Sequence, residues 1–461
     1  MPQRVPFPPP HVPERPSRPL LGRKSGLGLV ISNMVGAGVF LSTGFMAQEM
    51  GPAPILLAWV AGALLALAGA RAYAELAVVV PRSGGEYLYL RHFLHPALGY
   101  LAGWGSLVLG FAAPVAVDTL GAGAFLSAAG LPVPPQWVAV ALVCALTALQ
   151  LASPRKALRT QNLLVASKAA LVLGFVGVGL WFGRAEWPTW TPPAAPPGAG
   201  FPWRAFLSNQ LWIAFAFSGW NAAVYMSGEF RSPARDVPWA VVMGCAAVAV
   251  LYLLVNWVFV ANLTPAQASA VTAYESHRIT LGHLLMEELL GRHGGLAMSL
   301  LATAALVSST SAMVLVGPRV LAAMAEDGVL PSWLRARNGK PRAALAVQCA
   351  LSLALVFTQE LRDLVTTASG ALLLFSSLTV LALFRVRSVE PSAPPPSRVG
   401  RACAAAFALG SGGLFLHQLW TSPHSLRGVG ALALVGLGVY GLSGRAARAR
   451  GLSVPVPVQR P

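Results

Sequence analysis

Apolar segments long enough to cross a lipid bilayer recur along this chain, and most of its charge lies in the connections between them. A membrane-spanning helix needs about 20 consecutive apolar residues. Only 11% of the 461 residues are charged, whereas soluble domains carry roughly 25%. The chain therefore has too little charged surface for a set of soluble domains. We predict an all-α polytopic membrane protein.

Twelve spans can be placed on the sequence. Their approximate bounds are 26–48, 54–80, 95–128, 136–152, 161–182, 205–228, 237–262, 295–318, 343–358, 362–384, 402–420 and 426–443. With the N-terminus inside the cell, cytoplasmic connections hold 25 of the 33 Lys and Arg residues, and outer connections hold 6. Lys and Arg favour the cytoplasmic side. We therefore expect an inner-membrane protein with both termini in the cytoplasm.

Several other classes of function do not fit this pattern. The net charge of +17 is spread over the connections, whereas a nucleic-acid binder collects its basic residues on one face of a soluble domain. The four cysteines lie far apart in apolar stretches, and neither they nor the histidines have metal-ligand spacing. A Walker motif is also missing from the sequence. We predict no metal, no cofactor, no nucleic-acid partner and no enzymatic activity.

Two spans carry small residues at their centres. The first reads GLGLVISNMVGAGVFLSTGF and the sixth reads LWIAFAFSGWNAAVYMSGE. Glycine destabilises a helix interior by about 1 kcal/mol, so the backbone can unwind at these points. Interrupted helices at matching positions of two halves are typical of transporters with a site near the membrane midplane. Close helix packing through small residues is the alternative explanation.

An unwound turn inside the membrane leaves N–H and C=O groups without partners. A substrate with one carboxylate and one ammonium group would supply both kinds of partner. The half-helix that follows Gly38 offers N–H donors and the positive end of its dipole to the carboxylate. Carbonyls freed near Phe215 and Ala216 can accept hydrogen bonds from the ammonium group. The paired interruptions therefore favour a transporter.

Motifs around these positions resemble those of the amino acid–polyamine–organocation (APC) superfamily. They are NMVGAGVF at 33–40, YAEL at 73–76, PRSGGEYLY at 81–89, TQN at 160–162 with Lys168, and FSGWNAA at 217–223 followed by 228–235. The sixth-span motif is similar to that of the L-type amino acid transporters, and stand-alone bacterial relatives fit best. The resemblance covers the first eight helices.

This resemblance implies the leucine-transporter-like fold, with two inverted five-helix repeats and two extra helices. The implied divisions are a disordered cytoplasmic tail at 1–24, a transporter core at 25–389 with repeats at about 25–183 and 203–389, a Pro-rich linker at 390–399, two helices at 400–444 and a cytoplasmic tail at 445–461.

The resemblance also implies roles for individual residues. Gly36, Ala37 and Gly38 would cradle the substrate carboxylate. Phe215, Ala216 and Ser218 would meet the ammonium group, with Phe215 closing the site from outside, and Trp220 would line or support the side-chain pocket. Lys168 would project towards the place where sodium-driven members hold a cation, with Ser309 as a neighbour. Its ammonium group could replace the charge of that cation, or it could lose and regain a proton during the transport cycle.

Ionisable groups within spans are candidates for function because burying them in the membrane is unfavourable. Asp118 is a possible substrate or proton site, or a hydrogen-bonded structural acid. Glu75 can pair with Arg71 four residues earlier or take part in an inner gate. Glu229 and Arg231, with the nearby Arg235 and Asp236, either form an inner-gate set of ion pairs or are solvated.

The sequence thus predicts a sodium-independent secondary transporter that works by alternating access. We expect neutral L-amino acids to be its substrates, carried by exchange or by proton symport. Cationic amino acids or polyamines are the alternative, because of Asp118, and a transporter-like membrane sensor is a further one. The turn at 128–136 has no cysteine, whereas animal L-type light chains use one there to link a heavy chain. We therefore expect no disulfide-linked heavy chain, and a monomer or homodimer.

Overall fold

The computed structural model describes residues 21–440, apart from 153, 185–186, 189–191, 193–199, 265–280, 338, 359–360, 424–426, 431–432 and 439. The regular structure of these residues is helical, which confirms the all-α prediction. Most of both predicted tails lies outside the described residues, and so does part of the last predicted span.

The first half of the chain builds ten helices. They are α1 (Arg23–Met34), α2 (Ala37–Met46), α3 (Pro52–Val79), α4 (Glu86–Phe93), α5 (Pro96–Gly105), α6 (Ala113–Ala128), α7 (Pro135–Ala152), α8 (Pro154–Phe182), α9 (Trp203–Phe217) and α10 (Ala222–Tyr225). A π-helical turn, Ser106–Ala112, joins α5 to α6. Proline stands in the first turn of α3 and α5, where its missing N–H is not needed.

The second half of the chain continues with helices α11 to α18. They are α11 (Pro233–Asn262), α12 (Leu281–Leu290), α13 (Arg292–Val316), α14 (Pro318–Glu326), α15 (Arg342–Thr358), α16 (Leu361–Leu381), α17 (Val386–Val389) and α18 (Arg398–Thr421). Among the described residues, nine helical stretches are long and apolar enough to cross a membrane. The chain is therefore a multi-pass membrane protein.

Large apolar side chains cover the outside of the bundle, and polar side chains lie inside it. Leu64, Trp181, Leu409 and Trp420 are all more than 60% exposed, as expected for residues that face lipid. Thirty polar or charged residues are buried in the part of the chain that the structure describes. Because polar groups in a membrane protein face the bundle interior, these buried groups mark where the site must lie.

Both predicted helix interruptions are present. Val35 and Gly36 separate α1 from α2, and residues 218–221 separate α9 from α10. Gly219 has a φ of 99°, a conformation that glycine adopts without strain. The two interruptions face each other, because a Cβ added at Gly38 would lie 2.6 Å from the Cα of Ala216.

Candidate functional site

The first interruption presents the N-terminus of α2 to the bundle interior. The predicted carboxylate cradle of Gly36, Ala37 and Gly38 is buried there. The Ala37 N–H donates a hydrogen bond to the Asp118 carboxylate, with 2.8 Å between nitrogen and Oδ1. A carboxylate therefore does bind at this half-helix. In this structure it is the side chain of Asp118, which lies in α6, within the third predicted span.

The carbonyls on the other side of the first interruption are bound by Lys168. Its Nζ donates to the carbonyl oxygens of Ser32 at 3.0 Å and of Val35 at 2.5 Å. The side chain is 1% exposed. Lys168 thus places its ammonium group on carbonyls that the unwound turn has freed.

Ser309, predicted as a neighbour of Lys168, lies beside Gly36 and Asp118. A Cβ added at Gly36 would be 3.0 Å from Ser309 Oγ and 2.9 Å from Asp118 Oδ1. The preceding residue, Ser308, contacts α1 through its side chain, since its Oγ is 2.9 Å from Ser32 Oγ. Gln161 donates to the same Ser32 hydroxyl at 2.8 Å. Polar side chains of α8 and α13 therefore hold α1 just before its interruption.

The carbonyls of the second interruption are also bound within the protein. The Ser218 hydroxyl donates to the Phe215 carbonyl at 2.6 Å, and the Tyr252 hydroxyl lies 2.9 Å from the Ala216 carbonyl. Tyr252 Oη is also 2.7 Å from the Met34 carbonyl, so one hydroxyl bridges both interruptions. The acceptors predicted for a substrate ammonium group are thus held by Ser218 and Tyr252.

A pocket opens beside the second interruption. Trp220 lines it, together with Ser218, Phe217 and residues of α3, α16 and α18. The Trp220 ring packs against Phe407 of α18, with 5.3 Å between ring centroids. Trp220 therefore lines this pocket. Phe215 is buried and is not among the residues that line this pocket.

Of the predicted inner-gate residues, Glu229 pairs with a residue that the sequence did not indicate, whereas Glu75 pairs with Arg71, as its spacing allows. Glu229 pairs with Arg319 at 2.6 Å because the start of α14 lies across from it, whereas Arg231 is exposed. Glu229 and Arg231 therefore do not pair with each other, and their role at an inner gate stays a prediction. Glu75 pairs with Arg71 at 2.6 Å and accepts a hydrogen bond from Ser397, so it ties α3 to the Pro-rich linker.

Two buried side chains at the site were missed by sequence reasoning. Tyr252 lies in the long apolar helix α11, where no local motif marks it. Glu86 belongs to the PRSGGEYLY motif, yet its partners come from distant segments. Its Oε1 accepts from the Tyr73 hydroxyl at 2.6 Å, the Ser376 hydroxyl at 3.1 Å and the Asn221 amide at 3.3 Å. Glu86 thereby connects the second interruption to α3 and α16.

Two interrupted helices face each other inside a membrane-embedded bundle, and buried charged groups bind the backbone that the interruptions free. These features define a secondary transporter. The chain matches the family described as amino acid permease over residues 21–431. It belongs to that family, within the APC superfamily that its motifs resemble. The protein is an amino acid permease and not an enzyme.

Individual relatives agree with this assignment. The chain is 26% identical over 444 residues to the large neutral amino acids transporter small subunit 2 of Mus musculus. The aligned region covers 91% of this chain and 80% of the relative. The Homo sapiens protein of the same name is also 26% identical, over 91% of this chain and 79% of its own length. The b(0,+)-type amino acid transporter 1 of Mus musculus is 26% identical over 82% of this chain and 78% of its own.

Proposed function

We propose that this permease carries small or medium neutral L-amino acids by sodium-independent alternating access. In this proposal the substrate carboxylate binds the first N–H groups of α2, at Gly36, Ala37 and Gly38. The ammonium group binds the carbonyls of Phe215 and Ala216, beside Ser218. The observation that carries the proposal is the bond from the Ala37 N–H to a carboxylate, because it supports this half-helix as a carboxylate site.

Sodium independence is supported by the position of Lys168. Sodium-driven members of this fold are expected to hold their cation near the same helix carbonyls. The Lys168 ammonium group already donates to two of them. A sodium ion that entered there would be repelled by the ammonium charge. The carbonyl oxygens that could bind the ion would already be hydrogen-bonded to Lys168. Lys168, with Ser309 nearby, is therefore assigned to coupling as a substitute for the metal ion.

Neutral substrates are supported by the pocket beside Trp220. Its lining is mostly apolar, and none of its lining residues is charged. Two relatives have the words "large neutral amino acids" in their names. Cationic amino acids or polyamines are the second candidate class, because Asp118 places a carboxylate at the first interruption.

The wider organisation remains as the sequence predicts it. We expect twelve transmembrane helices in a five-plus-five inverted repeat with two added helices, in the inner membrane, with both termini cytoplasmic. Ion pairs such as Glu229–Arg319 would then close the cytoplasmic end, with Glu75 supporting it through the linker. The turn after α6 holds no cysteine, so we expect a monomer or homodimer without a disulfide-linked heavy chain.

Competition for uptake into proteoliposomes tests the substrate class. Purified protein would be reconstituted without sodium, and uptake of labelled L-leucine and L-alanine would be measured against unlabelled competitors. We expect alanine, serine or leucine to compete better than arginine, lysine or putrescine. Stronger displacement by the cationic compounds would overturn the neutral assignment. Protein-free liposomes serve as the control for leakage.

A further inference from the structure

The half-helix proposed to receive a substrate carboxylate is occupied by Asp118. This side chain is 1% exposed. Its Oδ1 accepts from the Ala37 N–H at 2.8 Å. Its Oδ2 is buried, lies beside the Ser309 hydroxyl, and accepts no hydrogen bond from a backbone N–H or a cation among the described residues. One oxygen of the carboxylate is therefore bound to the ten-residue helix α2, and the other has only a neutral hydroxyl as its neighbour.

The space around this carboxylate leaves no place for a second one. A single Cβ added at Gly36 would lie 2.9 and 3.0 Å from the two Asp118 oxygens. On the other side, a Cβ added at Gly38 would lie 2.6 Å from the Cα of Ala216. A substrate carboxylate cannot reach the Ala37 N–H while Asp118 holds it. Binding therefore requires Asp118 to move away from α2.

The charged surroundings of Asp118 are sparse. Among the described residues, no cationic nitrogen lies within 4.0 Å of its carboxylate. The titratable groups that face it are Lys168 of α8 and the Tyr252 hydroxyl of α11. The other helices packed against α6, namely α2, α7, α13, α15 and α16, place no titratable group there. Lys168 is bound to two carbonyls, so it is not free to follow Asp118.

We propose that Asp118 is an internal substitute for the substrate carboxylate, and that it takes up a proton when the substrate displaces it. This inference rests on the proposed function, since it needs a carboxylate-bearing substrate. Once displaced, an ionised Asp118 would be a second negative charge beside the first in a buried site, which is strongly disfavoured. A proton from water on the entry side binds a carboxylate oxygen of Asp118 and neutralises it.

The cycle then moves one proton with each amino acid. On the opposite side the substrate leaves, Asp118 returns to the Ala37 N–H, and its proton is released to water. Lys168 stays charged throughout and keeps the carbonyls of α1 in place. Asp118, rather than Lys168, is thus the proton carrier, and transport is proton symport instead of obligatory exchange.

Binding of labelled L-leucine to the purified permease tests this assignment. Affinity would be measured in detergent between about pH 5 and about pH 8, in the unmodified protein, in Asp118→Asn and in Asp363→Asn, an exposed control. Binding that requires a protonated Asp118 is complete below its pKa and weakens about tenfold per pH unit above it. We expect this slope in the unmodified protein and in Asp363→Asn, and a flat profile in Asp118→Asn.

A pH-sensitive dye inside proteoliposomes supplies a second measurement. Leucine uptake should acidify the lumen for the unmodified protein, and Asp118→Asn should exchange leucine without moving protons. If Asp118→Asn is unstable, the pH slope and the proton flux of the unmodified protein still decide the matter. A flat pH profile in the unmodified protein, or proton movement that persists in Asp118→Asn, would overturn the proposal. Binding of amines in place of any amino acid would instead overturn the proposed function.

Discussion

Lys168 is the side chain whose removal should reveal most about the first interruption. Its ammonium group donates to the Ser32 and Val35 carbonyls at 3.0 and 2.5 Å. Hydrogen bonds to a charged group stabilise a protein by about 1.5–3 kcal/mol each. Lys168→Ala therefore removes about 3–6 kcal/mol of interaction. It also relieves the unfavourable burial of one charge, by several kcal/mol, so the folded protein should survive.

Function should be affected far more than folding, because the two carbonyls then have no donor at the point where the site is built. If the substitution destabilises the transport-competent conformation by about 3 kcal/mol relative to the other folded conformations, uptake drops about a hundredfold, since 1.36 kcal/mol corresponds to a factor of ten. The site also loses the charge that excludes cations. We therefore expect sodium to raise the melting temperature of Lys168→Ala and to leave that of the unmodified protein unchanged.

Uptake of labelled leucine in proteoliposomes, with sodium or choline in the buffer, measures the first effect, and a thermal-shift experiment measures the second. Lys340→Ala is the matched control, because Lys340 is a partly exposed lysine outside the spans. Near-normal uptake by Lys168→Ala would refute the role given to its charge. A requirement for a sodium gradient in the unmodified protein would refute the whole assignment of Lys168.

Two other substitutions test the first interruption and the contact between the two interruptions. Gly38→Val should abolish uptake while expression persists, because its Cβ would lie 2.6 Å from Ala216 Cα; Gly174→Val, with open space around the added Cβ, should transport normally. Normal uptake by Gly38→Val would mean that the glycine serves only helix packing. Tyr252→Phe removes the hydroxyl between the Met34 and Ala216 carbonyls and should lower kcat/KM about tenfold, for a loss of about 1–1.5 kcal/mol. Tyr100→Phe should have no such effect, because the Tyr100 hydroxyl has no hydrogen-bond partner among the described residues, and equal losses in both variants would contradict the bridging role.

The sequence was sufficient to predict the features that depend on local composition. Apolar length predicted the membrane-spanning helices. The small residues at 36–38 and at 218–219 predicted where the first and sixth spans are interrupted, since glycine weakens a helix wherever it stands. The isolated charge of Lys168 in an apolar span marked it as a group with a special partner.

What the sequence could not predict depends on contacts between distant segments. The hydrogen bond from Ala37 to Asp118 joins residues 81 positions apart, and Tyr252 meets Met34 across 218 positions. Periodicity and motif spacing carry no information on which side chain fills a freed backbone group. The Glu229–Arg319 pair could not be predicted for the same reason, because its two residues are 90 positions apart in the sequence.

The most direct test of the central claim is a cryo-EM structure of the permease at acidic pH with saturating L-leucine. We expect the leucine carboxylate at the N-terminus of α2, about 3 Å from the Ala37 or Gly38 nitrogen, with its ammonium group at the carbonyls of Phe215 and Ala216. Asp118 should have moved away from Ala37. Leucine bound only in the pocket beside Trp220, with Asp118 still on the Ala37 N–H, would contradict the claim that the facing interruptions form the substrate site.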